Sequence, residues 1–211
     1  MIFAILPVKN PNHAKQRLEG FLPAAIRSAL ARLMYEQTLE TLCQAPGIDR
    51  VAVVTSDHEI AAHARSLGSL VFEEATQQSH SASADAACLH AIALGATTVL
   101  LVPIDVPLAT AEDFTELAAS ARPGVVIVPS ADQTGTNALV RTPPDVIESR
   151  FGPGSLRAHL DQARSRGVPA EVLRLPGLMF DIDTPEDVEE FLARAHGNRV
   201  ATFLRSACAL R

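Results

Sequence analysis

Two acidic stretches of this chain carry residues suited to binding a metal ion. Asp105 lies between two prolines in VPIDVPLAT, residues 102–110, at the end of a strongly apolar run, and Asp183 lies in FDIDTPEDVEEF, residues 180–191. Mg²⁺ binds proteins through one or two carboxylates and completes its coordination with water and substrate phosphates. Two carboxylates at the ends of separate strands would form such a site if the fold brought them together. Asp105 and Asp183 are therefore candidate Mg²⁺ ligands.

Both acidic positions also have an ordinary structural explanation. An aspartate in a turn between prolines can accept hydrogen bonds from nearby backbone amides. Asp181 or Asp183 can end a strand and shape the entry of the helix that follows. The two explanations differ in whether Asp105 and Asp183 meet in space.

A basic stretch follows the first apolar run, in LPVKNPNHAKQRLEGFLP, residues 6–23. It places Lys9, His13, Lys15 and Arg17 close together in a chain whose net charge is −6. A loop that leaves a central strand can surround a phosphate chain with ammonium and guanidinium groups. The glycines of a P-loop are absent, and a solvated charged loop is the alternative interpretation.

Two further stretches, TGTNALV and FGPGS, hold uncharged groups that could bind an anion. The second leads into a predicted helix, and the amides at a helix N-terminus bind phosphate or carboxylate readily. Hydroxyl and amide side chains in the first could add neutral donors. Ordinary turns would explain the same residues. The candidates are Thr136, Asn137, Gly152, Gly154 and Ser155.

Short apolar runs alternate along the chain with longer segments of helical periodicity, which is typical of an α/β fold. The predicted strands cover residues 2–6, 51–55, 69–73, 98–103, 125–129, 135–140 and 170–175. The predicted helices cover residues 22–44, 57–67, 81–94, 111–121, 154–166 and 185–195.

Several of the strands are apolar without alternation, as expected when helices cover both faces of a sheet. We therefore predict a three-layer α/β/α sandwich around a mostly parallel, mixed sheet. Ligands of such sheets bind beyond the carboxyl ends of the strands, where the candidate residues lie. Thr110 and Thr184 have the residue type and following acids of helix N-caps.

Composition narrows the class of protein. A chain of 211 residues with 47% apolar residues is long enough for one substantial core, so one domain is expected. The acidic balance argues against general nucleic-acid or anionic-membrane binding. Three separated cysteines suggest neither disulfides nor a thiolate site, and the opening MIFAIL is too short for a signal peptide. A soluble, cytoplasmic protein is expected.

Taken together, LPVK…KQRL, PIDVP, TGTNALV, FGPGS and DIDTPED resemble the CofC/FbiD family of nucleotidyltransferases in order and spacing. The resemblance covers about residues 1–195. It implies a Rossmann-like nucleotidyltransferase fold of the nucleotide-diphospho-sugar transferase type. It also implies a Mg²⁺-dependent guanylyltransferase that moves GMP from GTP to a small phosphorylated three-carbon acid and releases pyrophosphate, in the synthesis of the deazaflavin coenzyme F(420). The acceptor within the family is 2-phospho-L-lactate, phosphoenolpyruvate or 3-phospho-D-glycerate.

The resemblance also assigns roles to residues. Lys9, Lys15 and Arg17 would contact the GTP phosphates, and Asp105 and Asp183 would hold Mg²⁺. The neutral candidates at Thr136, Asn137, Gly152 and Ser155 would line the acceptor pocket.

Two segments depart from the family pattern. Where many relatives have a Gly-Leu-Asn turn, this chain has QQSHSASADAAC, residues 77–88, with Ser81 and Ser83, so the base that is recognised stays open. Residues 196–211 form an amphipathic C-terminal tail beyond the recognised pattern, expected to pack on its own domain or on a neighbouring subunit of a homodimer, with membrane-surface binding as the lesser alternative. Two alternatives to a guanylyltransferase remain: a cytidylyl- or sugar-nucleotide transferase of the same fold, and a non-catalytic nucleotide-binding subunit.

Overall fold

The structure, a computed structural model, describes residues 1–11, 14–74 and 79–209. His13 and the beginning of the 77–88 segment lie outside the described residues. The strands are β1 (Ile2–Pro7), β2 (Arg50–Thr55), β3 (Leu70–Glu73), β4 (Thr98–Leu101), β5 (Gly124–Pro129), β6 (Thr136–Thr142) and β7 (Ala170–Val172). The helices are α1 (Ala24–Gln44), α2 (His58–Ser66), α3 (His80–Ala93), α4 (Ala111–Ala119), α5 (Ser155–Ser165), α6 (Pro176–Met179), α7 (Pro185–Arg194) and α8 (Arg199–Ala209).

The strands form one seven-stranded sheet in the order β3-β2-β1-β4-β6-β5-β7. β1 pairs in parallel with β2 and β4, and β5 pairs in parallel with β7. β6 runs antiparallel to both of its neighbours, β4 and β5. The mostly parallel, mixed sheet predicted from the sequence is confirmed.

Helices cover both faces of this sheet, because its central strands are apolar on both sides. In β1, Ala4 and Leu6 contribute to the core shared with α1, α2 and α4, whereas Phe3 and Ile5 contribute to the core shared with α3 and α5. Successive side chains of a strand point to opposite faces, so an uninterrupted apolar run supplies two cores. The three-layer α/β/α prediction is confirmed.

Two helix starts agree with the residues that predicted them. Thr110 and Thr184 each accept a hydrogen bond from the backbone of the third helical residue, Asp113 or Asp187, whose carboxylate accepts one in return. These capping boxes satisfy backbone donors that a helix cannot pair internally.

The sequence patterns missed two short elements, α6 and a 3₁₀ turn at Gln16–Leu18, because neither is long enough to show periodicity.

The C-terminal tail forms α8, which packs against α1 and α7 of the same chain. Val200, Ala201 and Leu204 are buried there in a cluster with Leu30 and other α1 residues. This contact accounts for the apolar face predicted in residues 196–211. None of the described helices is both long and apolar enough to cross a lipid bilayer.

A buried ion pair joins β6 to α3. The side chain of Arg141 is 1% exposed, and it donates to Asp85 Oδ1 at 2.8 Å and to the carbonyl of Ile147 at 2.6 Å. Asp85 in turn accepts hydrogen bonds from the backbone and the hydroxyl of Ser149. The pair therefore fixes the chain segment that follows β6.

Replacing Arg141 with methionine should lower the free energy of unfolding by about 3 kcal/mol, because the remaining carboxylate and carbonyl lose their buried partner. Urea denaturation followed by circular dichroism measures the change. Arg164→Met is the matched control, since the Arg164 side chain is 81% exposed. A loss no larger than that of the control would contradict a structural role for the buried pair.

Candidate active site

The basic stretch follows β1 and Asp105 follows β4. These two neighbouring strands form the topological switch point of the sheet, where the strand order reverses. The chain continues from β1 to β2 on one side, and β4 lies on the other side of β1. The carboxyl ends of two such strands leave a crevice between their loops, which is the usual ligand site of open α/β sheets. Lys9, Lys15 and Arg17 enter this crevice region from β1, and Asp105 enters it from β4.

Backbone contacts bring the second acidic stretch to the same place. The amide of Ile182 donates to the carbonyl of Asp105 at 3.0 Å. The carboxylate of Asp187 accepts hydrogen bonds from the amides of Asp183 and Thr184 at 2.9 and 2.7 Å. The helix cap of α7 thus fixes the backbone of Asp183 beside the loop that follows β4.

The side chain of Lys15 lies between the two predicted metal ligands. Its Nζ is 2.7 Å from Asp105 Oδ2 and 2.9 Å from Asp183 Oδ1, and the side chain is 6% exposed. Arg17 approaches Asp183 Oδ2 at 3.3 Å from the surface. Lys15 adopts a left-handed backbone conformation with φ of 54°, which is uncommon for a residue with a side chain. The convergence of Asp105 and Asp183, which the sequence left open, is observed.

The charges of this group oppose the cost of burying it. Burial alone would lower the pKa of Lys15, but the attraction of Asp105 and Asp183 outweighs it and raises that pKa. Burial alone would raise the pKa of Asp105, and the adjacent Lys15 ammonium reverses this and lowers it. Both groups are therefore held in their charged forms.

A third carboxylate belongs to the group. Asp105, Asp181 and Asp183 each offer an oxygen within 4.8 Å of the others. Asn137 Nδ2 donates to Asp181 Oδ1 at 3.0 Å and to the carbonyl of Leu178 at 3.0 Å. Burial, followed by repulsion from Asp105, raises the pKa of Asp181 to about 6. Asp181 is thus the carboxylate that a cation would stabilise most.

The composition of this group fits a hard divalent cation. All three potential ligands are carboxylate oxygens from neighbouring segments, which is the donor type that Mg²⁺ prefers. Burial is the main cause of the raised pKa of Asp181, and repulsion from Asp105 and Asp183 adds to it, whereas Lys15 opposes it. The residues present therefore fit the predicted metal.

The neutral candidates on β6 line a cleft beside the carboxylates. Leu101, the last residue of β4, pairs with Leu139, so the start of β6 extends past the carboxyl end of β4. Thr136 and Asn137 lie there and face a cleft shared with His80 and Phe151. Asn137 thus contacts both this cleft and the carboxylate group. The remaining residues that line the cleft are Pro7, Leu101, Val102 and Pro103.

The FGPGS stretch forms the turn that enters α5. Gly152 and Gly154 have φ of 124° and 72°, values that residues with a Cβ rarely adopt. Ser155 is buried, and its amide donates to the carbonyl of Gly152 at 3.1 Å. The Leu156 amide donates to Thr134 O at 3.2 Å, which holds this turn beside the start of β6. The geometry explains both glycines, and the acceptor-binding role of the turn stays a prediction.

The start of α3 supports the same turn. Ser81 accepts a hydrogen bond from the amide of Phe151 at 2.9 Å, and Ser83 is buried. The departure from the Gly-Leu-Asn pattern therefore provides a contact to the FGPGS stretch.

The side chain of Lys9 is exposed. Burial lowers the pKa of His80, and the positive charge of Lys9 lowers it further, whereas the negative charge of Asp105 raises it.

Four residues at the site carry no sequence pattern that identified them as functional: Asp181, His80, Phe151 and His159. Asp181 was considered only as the end of a strand or the entry to a helix, although its i, i+2 spacing to Asp183 was a usable signal. His80, Phe151 and His159 carry no motif of their own, and only the structure places them beside Thr136.

This chain is similar in sequence to a known family and to several named proteins. Residues 2–209 match the family described as "Guanylyl transferase CofC like", so the match extends over α8 as well, which the sequence analysis had placed beyond the family pattern. A phosphoenolpyruvate guanylyltransferase from Sphaerobacter thermophilus is 37% identical over 91% of this chain and 93% of its own length. A 2-phospho-L-lactate guanylyltransferase from Methanothermobacter thermautotrophicus is 31% identical over 96% of this chain and 89% of its own length.

The fold has a counterpart among solved structures. The crystal structure of a provisionally named nucleotide-diphospho-sugar transferase from Desulfovibrio desulfuricans G20 aligns with a TM-score of 0.80 at 16% identity, and the alignment covers 99% of this chain and 96% of that one. This similarity confirms the nucleotidyltransferase type of fold. With the sequence match over nearly the whole chain, it follows that this protein belongs to the CofC-like guanylyltransferase family.

Proposed function

We propose that this protein transfers GMP from GTP to a small phosphorylated three-carbon acid and releases pyrophosphate. The observation that carries the proposal is the convergence of Lys15, Asp105, Asp181 and Asp183 at the carboxyl ends of the strands, beside a cleft lined by Thr136 and Asn137. With a divalent cation held by the carboxylates, the charged half would suit a nucleotide triphosphate, and the neutral half would suit a smaller anion. The names of the two relatives support this substrate pair.

The reaction is an in-line displacement at the α-phosphorus of GTP. A phosphate oxygen of the acceptor forms the new bond to that phosphorus, and the bond to the β-phosphate oxygen breaks, so that pyrophosphate leaves. The second pKa of a phosphate monoester is about 6, so the nucleophile is already anionic near neutral pH and needs no general base. The main tasks of the protein are then to position the two substrates and to neutralise their charge.

The described residues divide these tasks. In this proposal Arg17, on the surface beside Asp183, contacts the phosphates of GTP, and the exposed Lys9 adds a second cation. Thr136 and the turn at Gly152, Gly154 and Ser155 bind the acceptor. Lys15 keeps the Asp105 carboxylate charged and holds it close to Asp183.

The proposal includes Mg²⁺, with Asp105, Asp181 and Asp183 as its protein ligands. When bound, Mg²⁺ supplies positive charge to the phosphate oxygens on which negative charge develops. A cytoplasmic location and a homodimer belong to the same proposal. The acceptor is proposed to be phosphoenolpyruvate, 2-phospho-L-lactate or 3-phospho-D-glycerate, with phosphoenolpyruvate tested first.

The direct test is pyrophosphate release by the purified protein with GTP, Mg²⁺ and each of the three acceptors in turn. Turnover is expected with one acceptor, and Asp105→Asn or Asp183→Asn should lower kcat at least about 100-fold, because either change removes a ligand charge. Asp161→Asn, in which the changed carboxylate is half exposed on α5, is the control. GTP binding without turnover on any acceptor would favour the non-catalytic alternative, and turnover with CTP or UTP would favour the other transferases.

Arg17→Met should raise the KM for GTP about tenfold while the KM for the acceptor stays within about twofold, because one charge-assisted phosphate contact is lost. Steady-state kinetics with each substrate varied separately measures the difference. Arg157→Met is the matched control, since the Arg157 side chain on α5 is 90% exposed. An equal rise in both KM values would contradict a specific contact with GTP.

Asp181→Asn should stabilise the cation-free protein at about pH 7.5 by on the order of 1 kcal/mol, a value reduced for partial solvent screening. The pKa of Asp181 is raised to about 6 from 3.8, so the folded chain binds more protons than the unfolded chain between these values, and the free energy of unfolding falls as pH rises through them. Asparagine removes this penalty and keeps an oxygen for Asn137. Urea denaturation in a chelator at about pH 4 and pH 7.5 measures the effect, which should be several times smaller at the lower pH. Equal stabilisation at both values would show that the penalty is not the charge of Asp181.

A further inference from the structure

His159 is a fully buried histidine beside the predicted acceptor pocket. It lies on α5 with 0% exposure. Its Nδ1 is 3.0 Å from the hydroxyl of Thr136, and its Nε2 is 2.8 Å from the backbone nitrogen of Arg150. The imidazole thus joins the first residue of β6 to the segment that precedes the FGPGS turn.

The contact with Arg150 determines which nitrogen of the ring carries the proton. A backbone N–H can only donate, so Nε2 of His159 accepts this hydrogen bond. Burial, followed by the charge of Arg141, lowers the pKa of His159 to about 4, so the ring is neutral near pH 7. A neutral ring with a free lone pair on Nε2 carries its hydrogen on Nδ1. Nδ1 therefore donates to Thr136 Oγ1.

The direction of this hydrogen bond orients the hydroxyl of Thr136. A hydroxyl has one hydrogen to donate, and in this arrangement that hydrogen is not directed at His159. Thr136 lines the cleft with Asn137 and His80, and a hydroxyl that accepts from His159 keeps its own hydrogen available for a ligand bound there. An anion needs a donor at this position, because an oxygen lone pair there would repel it.

Aromatic contacts hold the ring in place. Phe151 lies edge-on to His159 with ring centroids 5.5 Å apart, and edge-on to His80 at 5.0 Å. Such perpendicular contacts favour one ring orientation. The imidazole of His159 is therefore fixed by two hydrogen bonds and one ring contact.

We propose that His159 is a positioning residue that orients the Thr136 hydroxyl as a hydrogen-bond donor to the phosphorylated acid acceptor. The inference rests on the proposed function, since it concerns the acceptor half of that site. His159 itself stays behind Thr136 and does not touch the substrate.

A double-mutant cycle tests whether His159 acts through Thr136. His159→Phe keeps a ring against Phe151 and removes both hydrogen bonds, and Thr136→Val removes the hydroxyl. Each change should raise the KM for the acceptor about tenfold or more, the effect of one hydrogen bond to a charged group, and leave the KM for GTP within about twofold. The double variant should be no worse than Thr136→Val alone, because the oriented group is already absent.

Two further variants separate orientation from folding. His159→Asn places an amide N–H near the position of Nδ1 and should restore most of the acceptor affinity that His159→Phe loses. His63→Phe is the matched control. Nδ1 of His63, on α2, also lies at hydrogen-bonding distance from a hydroxyl, that of Tyr35, at 3.1 Å. Loss of this contact should change neither KM. Thermal denaturation of all variants reports loss of the fold separately.

The outcomes distinguish the inference from the proposed function. If the unaltered protein turns over no acceptor, the guanylyltransferase proposal fails, and the role of His159 fails with it. If the unaltered protein is active but His159→Phe and His159→Asn leave the acceptor KM unchanged, the role of His159 alone is overturned. Additive losses in the cycle would also overturn it, because His159 would then act independently of Thr136. A selective, non-additive rise in the acceptor KM supports it.

Discussion

The attraction between Lys15 and the carboxylates of Asp105 and Asp183 is the interaction on which the candidate site depends. Three carboxylates within 4.8 Å of one another repel, and burial in a low-dielectric crevice strengthens that repulsion. The ammonium of Lys15 lies at hydrogen-bonding distance from two of them. It keeps Asp105 in its charged form and holds it close to Asp183. The left-handed backbone of Lys15 is explained by this demand, since the side chain must turn inward from a loop.

The scaffold around this interaction is built from apolar strands and helix caps. The buried strands β1 and β4 place two loops at one end of the sheet, and the capping box of α7 holds the backbone of Asp183 against the loop that carries Asp105. The buried pair of Arg141 and Asp85 anchors the segment after β6, which continues into the FGPGS turn. The charged half of the site is therefore set by loops, and the neutral half by a strand and a helix start.

Much of this architecture could be predicted from the sequence, for identifiable reasons. The apolar runs that became β1 to β7 are local signals, as are the Thr110 and Thr184 caps, so the three-layer fold and the helix starts were accessible. Asp105 and Asp183 were recognised because each follows a strand, but their meeting depends on contacts between residues far apart in the chain. Asp181 and His159 were missed because their roles depend on those contacts and on burial, which no local pattern reports.

The division of charge within the site bears on how two anionic substrates can share it. Every cation of the basic stretch that the structure describes lies on the β1 side, whereas the cleft beside it offers the hydroxyl of Thr136. A multiply charged triphosphate gains more from cations than a smaller acid does, because Coulomb attraction scales with charge. Neutral donors select by geometry instead, since each hydrogen bond requires a correctly directed hydrogen. A buried neutral imidazole behind Thr136 supplies that direction without adding charge, and so leaves the electrostatic preference of the β1 side for the nucleotide intact.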